Sequence, residues 1–298
     1  MPTADQKSGA CKATFLLLVL TAERKNMNSF MSWVGGKKNL RDEVLARFPP
    51  YYERYIEVFG GAGWVLFHKP PGMDFEVYND FNGNLSNLYR CVRDKPNKLK
   101  YKLRYVLNSR EDFDRIALLH KRGIFEKLCD ADRASKFYQL IRYSYASGLD
   151  SFGSQPHSMW SDFPMIDLAA RRLQKVVVEN KDFERLIRQY DRPVSFFYCD
   201  PPYFATENYY KDVGFTAKDH IRLRDALLDI KGRFLVSYND CPEIREIWHK
   251  PNIHIEEISR LNNLAQRYDG GCQYAELLIS NYDTSERAKA IKQLSLFD

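Results

Sequence analysis

The stretch Tyr55-Ile56-Glu57-Val58-Phe59-Gly60-Gly61-Ala62-Gly63-Trp64-Val65-Leu66-Phe67-His68 decides the fold. An apolar run, Tyr55–Phe59, breaks into Gly60, Gly61 and Gly63 and resumes as a helical pattern over Trp64–His68. A strand that feeds a helix through glycines lets the backbone approach a ligand closely. Alone, the turn suits a nicotinamide dinucleotide, a flavin or S-adenosylmethionine, or an ordinary tight strand-to-helix connection. The alternation continues outward. Short apolar or β-branched runs recur at Phe75–Asn79, Val176–Glu179, Ser195–Cys199, Arg233–Ser237, Ile253–Ile258 and Glu276–Asn281, with helical patterns at Asp219–Asp229 and Pro242–Trp248. Strands alternating with helices predict a parallel, helix-covered sheet. Residues 85–170 interrupt it with helical patterns at Leu85–Cys91, Glu111–Leu118 and Arg133–Tyr145, followed by the Ser-, Gly- and Pro-rich run Gly148–Pro164. The expected architecture is an α/β domain carrying a mostly helical insertion.

Composition narrows the function. The 298 residues are 44% hydrophobic and 14% aromatic, which supports a real core and excludes wholesale disorder. The net charge of +6 is localised: residues 81–180 hold 18 Lys+Arg against 11 Asp+Glu, and the remainder 27 against 28. A basic insertion in a neutral body suits a polyanion, although a solvated helical surface would look the same. The six cysteines form no CxxC pair and the histidines no metal spacing, so neither a disulfide framework nor a metal site is expected. A reducing, cytoplasmic setting fits this cysteine usage. No apolar run approaches the ~20 residues of a membrane-spanning helix, so a membrane is not an expected partner. Ala13–Ala22, after Lys7 and Lys12, superficially resembles a signal peptide. Nothing else suggests export, and residues 1–30 are expected to be a dispensable or disordered extension.

The sharpest chemical signal is Asp200-Pro201-Pro202-Tyr203, directly after Ser195–Cys199. Two prolines fix φ and remove two N–H donors, which leaves carbonyls pointing out of a rigid turn. A carboxylate beside such a carbonyl makes two acceptors set for one exocyclic amino group, and the tyrosine ring offers a stacking face. An amino nitrogen conjugated to a purine is a poor nucleophile. Two acceptors gripping its hydrogens would localise its lone pair. Asp80 ends the second strand, where a carboxylate can accept from ribose hydroxyls. Trp33-Val34-Gly35-Gly36-Lys37-Lys38 forms a second small-residue turn.

In these residues the chain, from about Ser32 to Tyr282, resembles the DNA adenine methylase (Dam-type) family of N6-adenine methyltransferases. Trp33–Lys37 is similar to its Trp-Ala-Gly-Gly-Lys motif, with Val34 for alanine. Glu57–Phe67 is similar to its Glu-Pro-Phe-x-Gly-x-Gly segment, with Val58 for proline. Asn79–Asn82 resembles the ribose-binding Ala-Asp-Ile-Asn, Glu179–Phe183 the segment facing the cofactor adenine, and Asp200–Tyr203 the catalytic tetrapeptide. Phe215 with Asp219-His220, and Ser237-Tyr238-Asn239, also match.

The resemblance implies a mixed seven-stranded sheet of the S-adenosylmethionine-dependent, Rossmann-like type, with helices on both faces. The catalytic domain is expected over 31–84 and 171–284, a target-recognition insertion over 85–170, and a tail over 285–298. Trp33, Gly36, Lys37, Phe59, Gly60, Gly61, Asp80, Asp182, Phe183 and Asp200 are expected around S-adenosylmethionine, with Lys37 also near DNA. Asp200, Pro201, Pro202 and Tyr203 are expected to act on an adenine flipped from duplex DNA. No metal is required, and the protein is expected to be a monomer. An oxidoreductase using the glycine turn leaves the Pro-Pro-Tyr turn and the basic insertion unexplained. A non-catalytic nucleic-acid-binding protein on this scaffold, or methylation of RNA adenine or cytosine N4, remain the alternatives. Specificity departs from the family's pattern. Its Tyr-Asn-Gly-Leu-x-Arg-type stretch corresponds to Tyr145–Asp150, with no arginine, so a GATC site does not carry over. Ser151, Gln155 and His157 in the following loop are expected to contact DNA, with Phe152 and Trp160 as wedges or packing residues and Arg142 and Lys136 on phosphates.

Overall fold

A computed structural model describes residues 27–33, 35–205, 214–261 and 273–294. Seven strands form one sheet: β1 (Arg54–Glu57), β2 (Phe75–Asn79), β3 (Val176–Glu179), β4 (Ser195–Cys199), β5 (Arg233–Asn239), β6 (His254–Leu261) and β7 (Gln273–Ser280), in the order β3-β2-β1-β4-β5-β7-β6. The pairings from β3 to β5 are parallel, whereas β7 runs antiparallel to both β5 and β6. The mixed seven-stranded sheet is the one the family resemblance implied, whereas alternation alone read as a parallel sheet. A closing antiparallel pair carries the same short apolar runs as a parallel one.

Period-2 alternation splits each strand between two cores. Tyr55, Tyr78, Phe196, Tyr198 and Leu235 face one, and Ile56, Val77, Phe197, Cys199, Phe234 and Val236 the other. The helices are α1 (Arg41–Ala46), α2 (Trp64–His68), α3 (Gly83–Asp94), α4 (Pro96–Leu103), α5 (Arg110–Lys121), α6 (Asp130–Tyr143), α7 (Phe163–Leu173), α8 (Phe183–Tyr190), α9 (Ala217–Leu228), α10 (Pro242–Trp248) and α11 (Glu286–Leu294). Helices α8 to α10 cover the second face through Leu186, Ile187, Leu223, Leu227, Ile244 and Trp248.

The first core does not stop at the sheet. It runs without a break from Tyr55 and Phe196 through Leu88 of α3 into Leu99, Phe113, Phe137 and Ile166 of the insertion. Glu76 of β2 is gripped through both carboxylate oxygens by Arg172 of α7, at 2.6 Å each, and Lys69 adds a bond of 2.9 Å. Helix α7 is thereby tied to the sheet.

Helices α4 and α7 were not expected, and α7 begins inside the run read as a Pro-rich loop. Pro96 and Pro164 stand at helix starts, where a missing N–H costs nothing. The expected extension also ends too late. Phe30 is buried against Phe67, Tyr89 and Tyr138, and Ser29 Oγ donates to the Ala62 carbonyl at 2.5 Å. The signal-like run Ala13–Ala22 lies outside the described residues.

Candidate active site

At the junction of β1 and β4 the chain leaves in opposite directions, to β2 on one side and to β5 on the other. A crevice opens at the carboxyl ends of strands at such a switch point. Here it is a cavity of about 310 Å³. All ten residues expected around the cofactor line it: Trp33, Gly36, Lys37, Phe59, Gly60, Gly61, Asp80, Asp182, Phe183 and Asp200.

The glycines are dictated by crowding. A Cβ on Gly60 would lie 2.2 Å from the Tyr78 ring, and one on Gly36 2.6 Å from Trp64 Nε1. Gly61 takes φ +50°, and its N–H donates to Asp80 Oδ2 at 2.9 Å. Asp80 Oδ1 accepts from Asn82 N at 2.8 Å. Burial outweighs these two bonds and pushes the Asp80 carboxyl up to about 6. The rings of Phe59, Phe183 and Phe215 stand 5.6–6.0 Å apart and wall a slot for a flat group. Asp182 caps α8 by accepting from Glu184 N at 3.0 Å, and its other oxygen pairs with Arg222. The Arg222 guanidinium lies 4.2 Å from the Phe183 ring centroid.

The Asp200 turn forms the other end. Lys37 is 3% exposed, and its Nζ donates to Asp200 Oδ1 at 2.5 Å. Ser237 Oγ of β5 donates to the same oxygen at 3.0 Å. Among the described residues, Asp200 Oδ2 has no hydrogen-bond partner and is left to the cleft. Burial raises the Asp200 carboxyl from its ordinary value, opposed by Lys37. Pro202 lines the cavity, and Pro201 is buried beneath the turn. Tyr203 flanks it. Its hydroxyl donates to buried Glu276 at 2.7 Å, and Lys37 Nζ sits 4.5 Å from its ring centroid. One cation thus touches both the carboxylate and the ring.

With that geometry in place, sequence comparison decides the family. A profile of the D12 class of N6 adenine-specific DNA methyltransferases matches residues 33–263. This chain belongs to that class. The enzyme is 28% identical over 286 residues to a type II methyltransferase of Lactococcus lactis subsp. cremoris, covering 89% of this chain and 99% of that protein. It is 28% identical over 261 residues to the DNA adenine methylase of Escherichia coli, covering 79% and 89%. The Vibrio cholerae DNA adenine methylase is 26% identical over 260 residues, covering 79% and 90%. The general reaction of the class is S-adenosylmethionine-dependent methylation of adenine N6, so the methyltransferase acts on DNA. Among its described residues no helix is long and apolar enough to cross a membrane, and no group of three or more His, Cys, Asp or Glu is placed to hold a metal.

Three participants were given no role at the cleft from the sequence. Glu57, Arg222 and the turn Ser147-Gly148-Leu149 all line the cleft. Glu57 is buried, accepts from Tyr55 Oη at 2.6 Å, and is pushed up to about 8 by burial. A glutamate inside an otherwise apolar strand was the available signal. Arg222 had none, because its importance depends on a partner forty residues away.

In the insertion, two of the expected DNA contacts are also engaged internally. Arg142, expected on phosphates, is ion-paired to Asp162 through two bonds of 2.9 Å, and His157, expected on base edges, bonds the same carboxylate at 2.8 Å. Asp162 is buried, so both side chains serve to pin the loop to α6. Ser151 and Gln155 remain exposed. The Ser151 and Gln155 carbonyls accept from Tyr145 N and Asn108 Nδ2, at 2.7 and 3.1 Å. Phe152 packs 5.6 Å from Phe113, whereas Trp160 is half exposed.

Proposed function

We propose that this chain methylates N6 of adenine within a defined sequence of double-stranded DNA, with the target base flipped into the cleft beside Asp200–Tyr203. The observation that carries this reading is the Asp200 carboxylate. Lys37 and Ser237 both take Oδ1, and among the described residues Oδ2 has no partner. An acceptor so placed suits an amino group presented from outside.

The cleft fits S-adenosylmethionine. That molecule brings a positive sulfonium, an amino group, a ribose and an adenine to a cavity with five carboxyl groups, Glu57, Asp80, Asp182, Asp200 and Asp219, and a three-phenylalanine slot. Asp80 would hold the ribose hydroxyls, the slot at Phe59 and Phe183 the adenine, and Gly36, Gly60 and Gly61 the backbone path beside the amino-acid tail. Trp33 would close the wall, with Lys37 placed between cofactor and target. When bound, the cofactor supplies an electrophilic methyl group.

The chain's residues do the rest by positioning. Asp200 Oδ2 and the Pro201 carbonyl accept the two N6 hydrogens, which localises the nitrogen lone pair. Pro202 keeps the turn rigid, and the Tyr203 ring stacks on the base. Lys37 opposes the effect of burial on the Asp200 carboxyl. After transfer the surplus N6 proton moves toward Asp200 Oδ2, whose raised basicity suits that role. Residues 1–26 would be dispensable, and Ser151 and Gln155 would face the DNA. The enzyme would act as a monomer in the cytoplasm. Incubation with methyl-labelled S-adenosylmethionine and duplex DNA tests the proposal. Label in N6-methyladenine at one sequence is expected. Label in RNA or at cytosine N4 would overturn it.

A further inference from the structure

Arg142 is paired to Asp162, which leaves Lys136 of the two residues expected on phosphates, and the insertion carries further cations. Residues 95–110 hold six Lys or Arg and no Asp or Glu. Three of these cations are engaged internally: Lys95 with Asp130, Lys100 with Asp167 and Lys102 with Asp132. Arg104 and Arg110 are not. Both are exposed, and neither makes an ion pair among the described residues. Each guanidinium lies over an aromatic ring of the recognition loop instead, Arg104 at 5.2 Å from Trp160 and Arg110 at 4.9 Å from Phe152.

A ring under an arginine orients the group without neutralising it, so the charge stays available to an anion. Between the two arginines, Tyr105 is 82% and Leu107 71% exposed, large apolar groups with no packing role. Asn108 Nδ2 bonds the Gln155 carbonyl, which joins this segment to the loop. The loop is in turn continuous with the cleft. Backbone bonds Tyr145 N to Ser151 O and Gly153 N to Tyr143 O, both 2.7 Å, close it onto the turn whose Ser147, Gly148 and Leu149 line the cavity.

We propose that the connection Arg104–Arg110, between α4 and α5, is a second arm of the DNA interface. Arg104 and Arg110 contact duplex phosphates, Trp160 and Phe152 hold them in place, and Tyr105 and Leu107 lie against the sugars. The two unpaired guanidiniums, beside a loop that reaches the cleft, are complementary to a polyphosphate backbone. This inference rests on the DNA-methyltransferase reading. It assigns affinity, whereas the loop's base-facing groups assign sequence.

The test is duplex binding by fluorescence anisotropy across a salt series, on the full chain, with one duplex carrying the methylated sequence and one lacking it. Arg104→Ala/Arg110→Ala should weaken both duplexes roughly tenfold at low salt and reduce the salt slope by about 1.8, near 0.9 per phosphate lost. Arg104→Lys/Arg110→Lys should keep the slope. Trp160→Ala should weaken binding several-fold with the slope unchanged, because it removes the platform and not the charge. The methylated sequence and the thermal shift on adding S-adenosylmethionine should be those of the parent. An alanine pair with the parental slope and affinity would overturn the inference while parental methylation continued. Loss of methylation in the parent itself would indict the functional reading instead.

Discussion

In the cleft, Lys37 is almost fully buried and bonded to Asp200, whereas on the surface between α4 and α5 Arg104 and Arg110 are exposed beside Trp160 and Phe152. The two regions use positive charge in opposite ways. A buried cation must be paired, so its position is fixed to a few tenths of an ångström and it can tune a neighbouring carboxylate. An exposed cation stacked on a ring keeps its charge free and only its direction is constrained. Chemistry at one adenine needs the first arrangement, and affinity for many phosphates the second. Arg142 stands between the two: it is ion-paired to buried Asp162, yet its own side chain stays partly exposed.

The largest effect expected from disturbing this contrast lies in the cleft. Gly60→Ala places a methyl against Tyr78, which cannot retreat: its ring stacks on Tyr89 at 3.8 Å and its hydroxyl donates to the Gly61 carbonyl at 2.7 Å. A destabilisation of about 3 kcal/mol is expected, with loss of the thermal shift produced by S-adenosylmethionine. A variant with parental melting and cofactor response would show that the cleft tolerates movement. Asp162→Ala comes next. It strands Arg142 and His157, and a partly exposed pair of this kind should cost about 2 kcal/mol. Methylome sequencing should return a relaxed recognition sequence, and an unchanged one would remove the loop from specificity.

A pH series sharpens the cleft side further. Native Glu57 keeps its proton to about pH 8, against an ordinary value of 4.5. Between those values the folded state holds the extra proton, so this group's contribution to stability is lost as pH rises and is flat above about 8. Glu57→Gln should remove that decline from the difference in urea midpoints. An identical pH profile in both proteins would contradict the buried, neutral assignment. The smallest effect belongs to Tyr203→Phe. It keeps the stacking ring and loses one bond to Glu276, so a few-fold reduction in turnover is expected, far milder than Tyr203→Ala.

How much of this was legible in sequence follows the same division. Strands Phe75–Asn79, Val176–Glu179 and Ser195–Cys199 stood out because buried parallel strands read as unbroken apolar runs. The glycine turn and Pro201-Pro202 stood out because each position demands one residue type, whereas Trp33, Lys37, Asp182 and Phe183 were named through the family resemblance. Helix α7 was hidden because Pro164, a helix-starting residue in place, looks like loop punctuation in a string. The pairing of Arg142 with Asp162, and of Arg104 with Trp160, was hidden for another reason. A charge carries no mark of which distant side chain it will meet, and the insertion's function depends on those meetings.

The claim on which the account turns is that Asp200 acts on the target amino group, and Asp200→Asn tests it most directly. The variant keeps the turn's shape but can present an N–H where an acceptor is required. Single-turnover methyl transfer should be measured beside duplex affinity on the same preparation. Transfer should fall by about 2.7–4 kcal/mol, the scale of a lost transition-state hydrogen bond at a preorganised site, with duplex affinity unchanged. Transfer within a few-fold of the parent, at parental duplex affinity, would contradict the account.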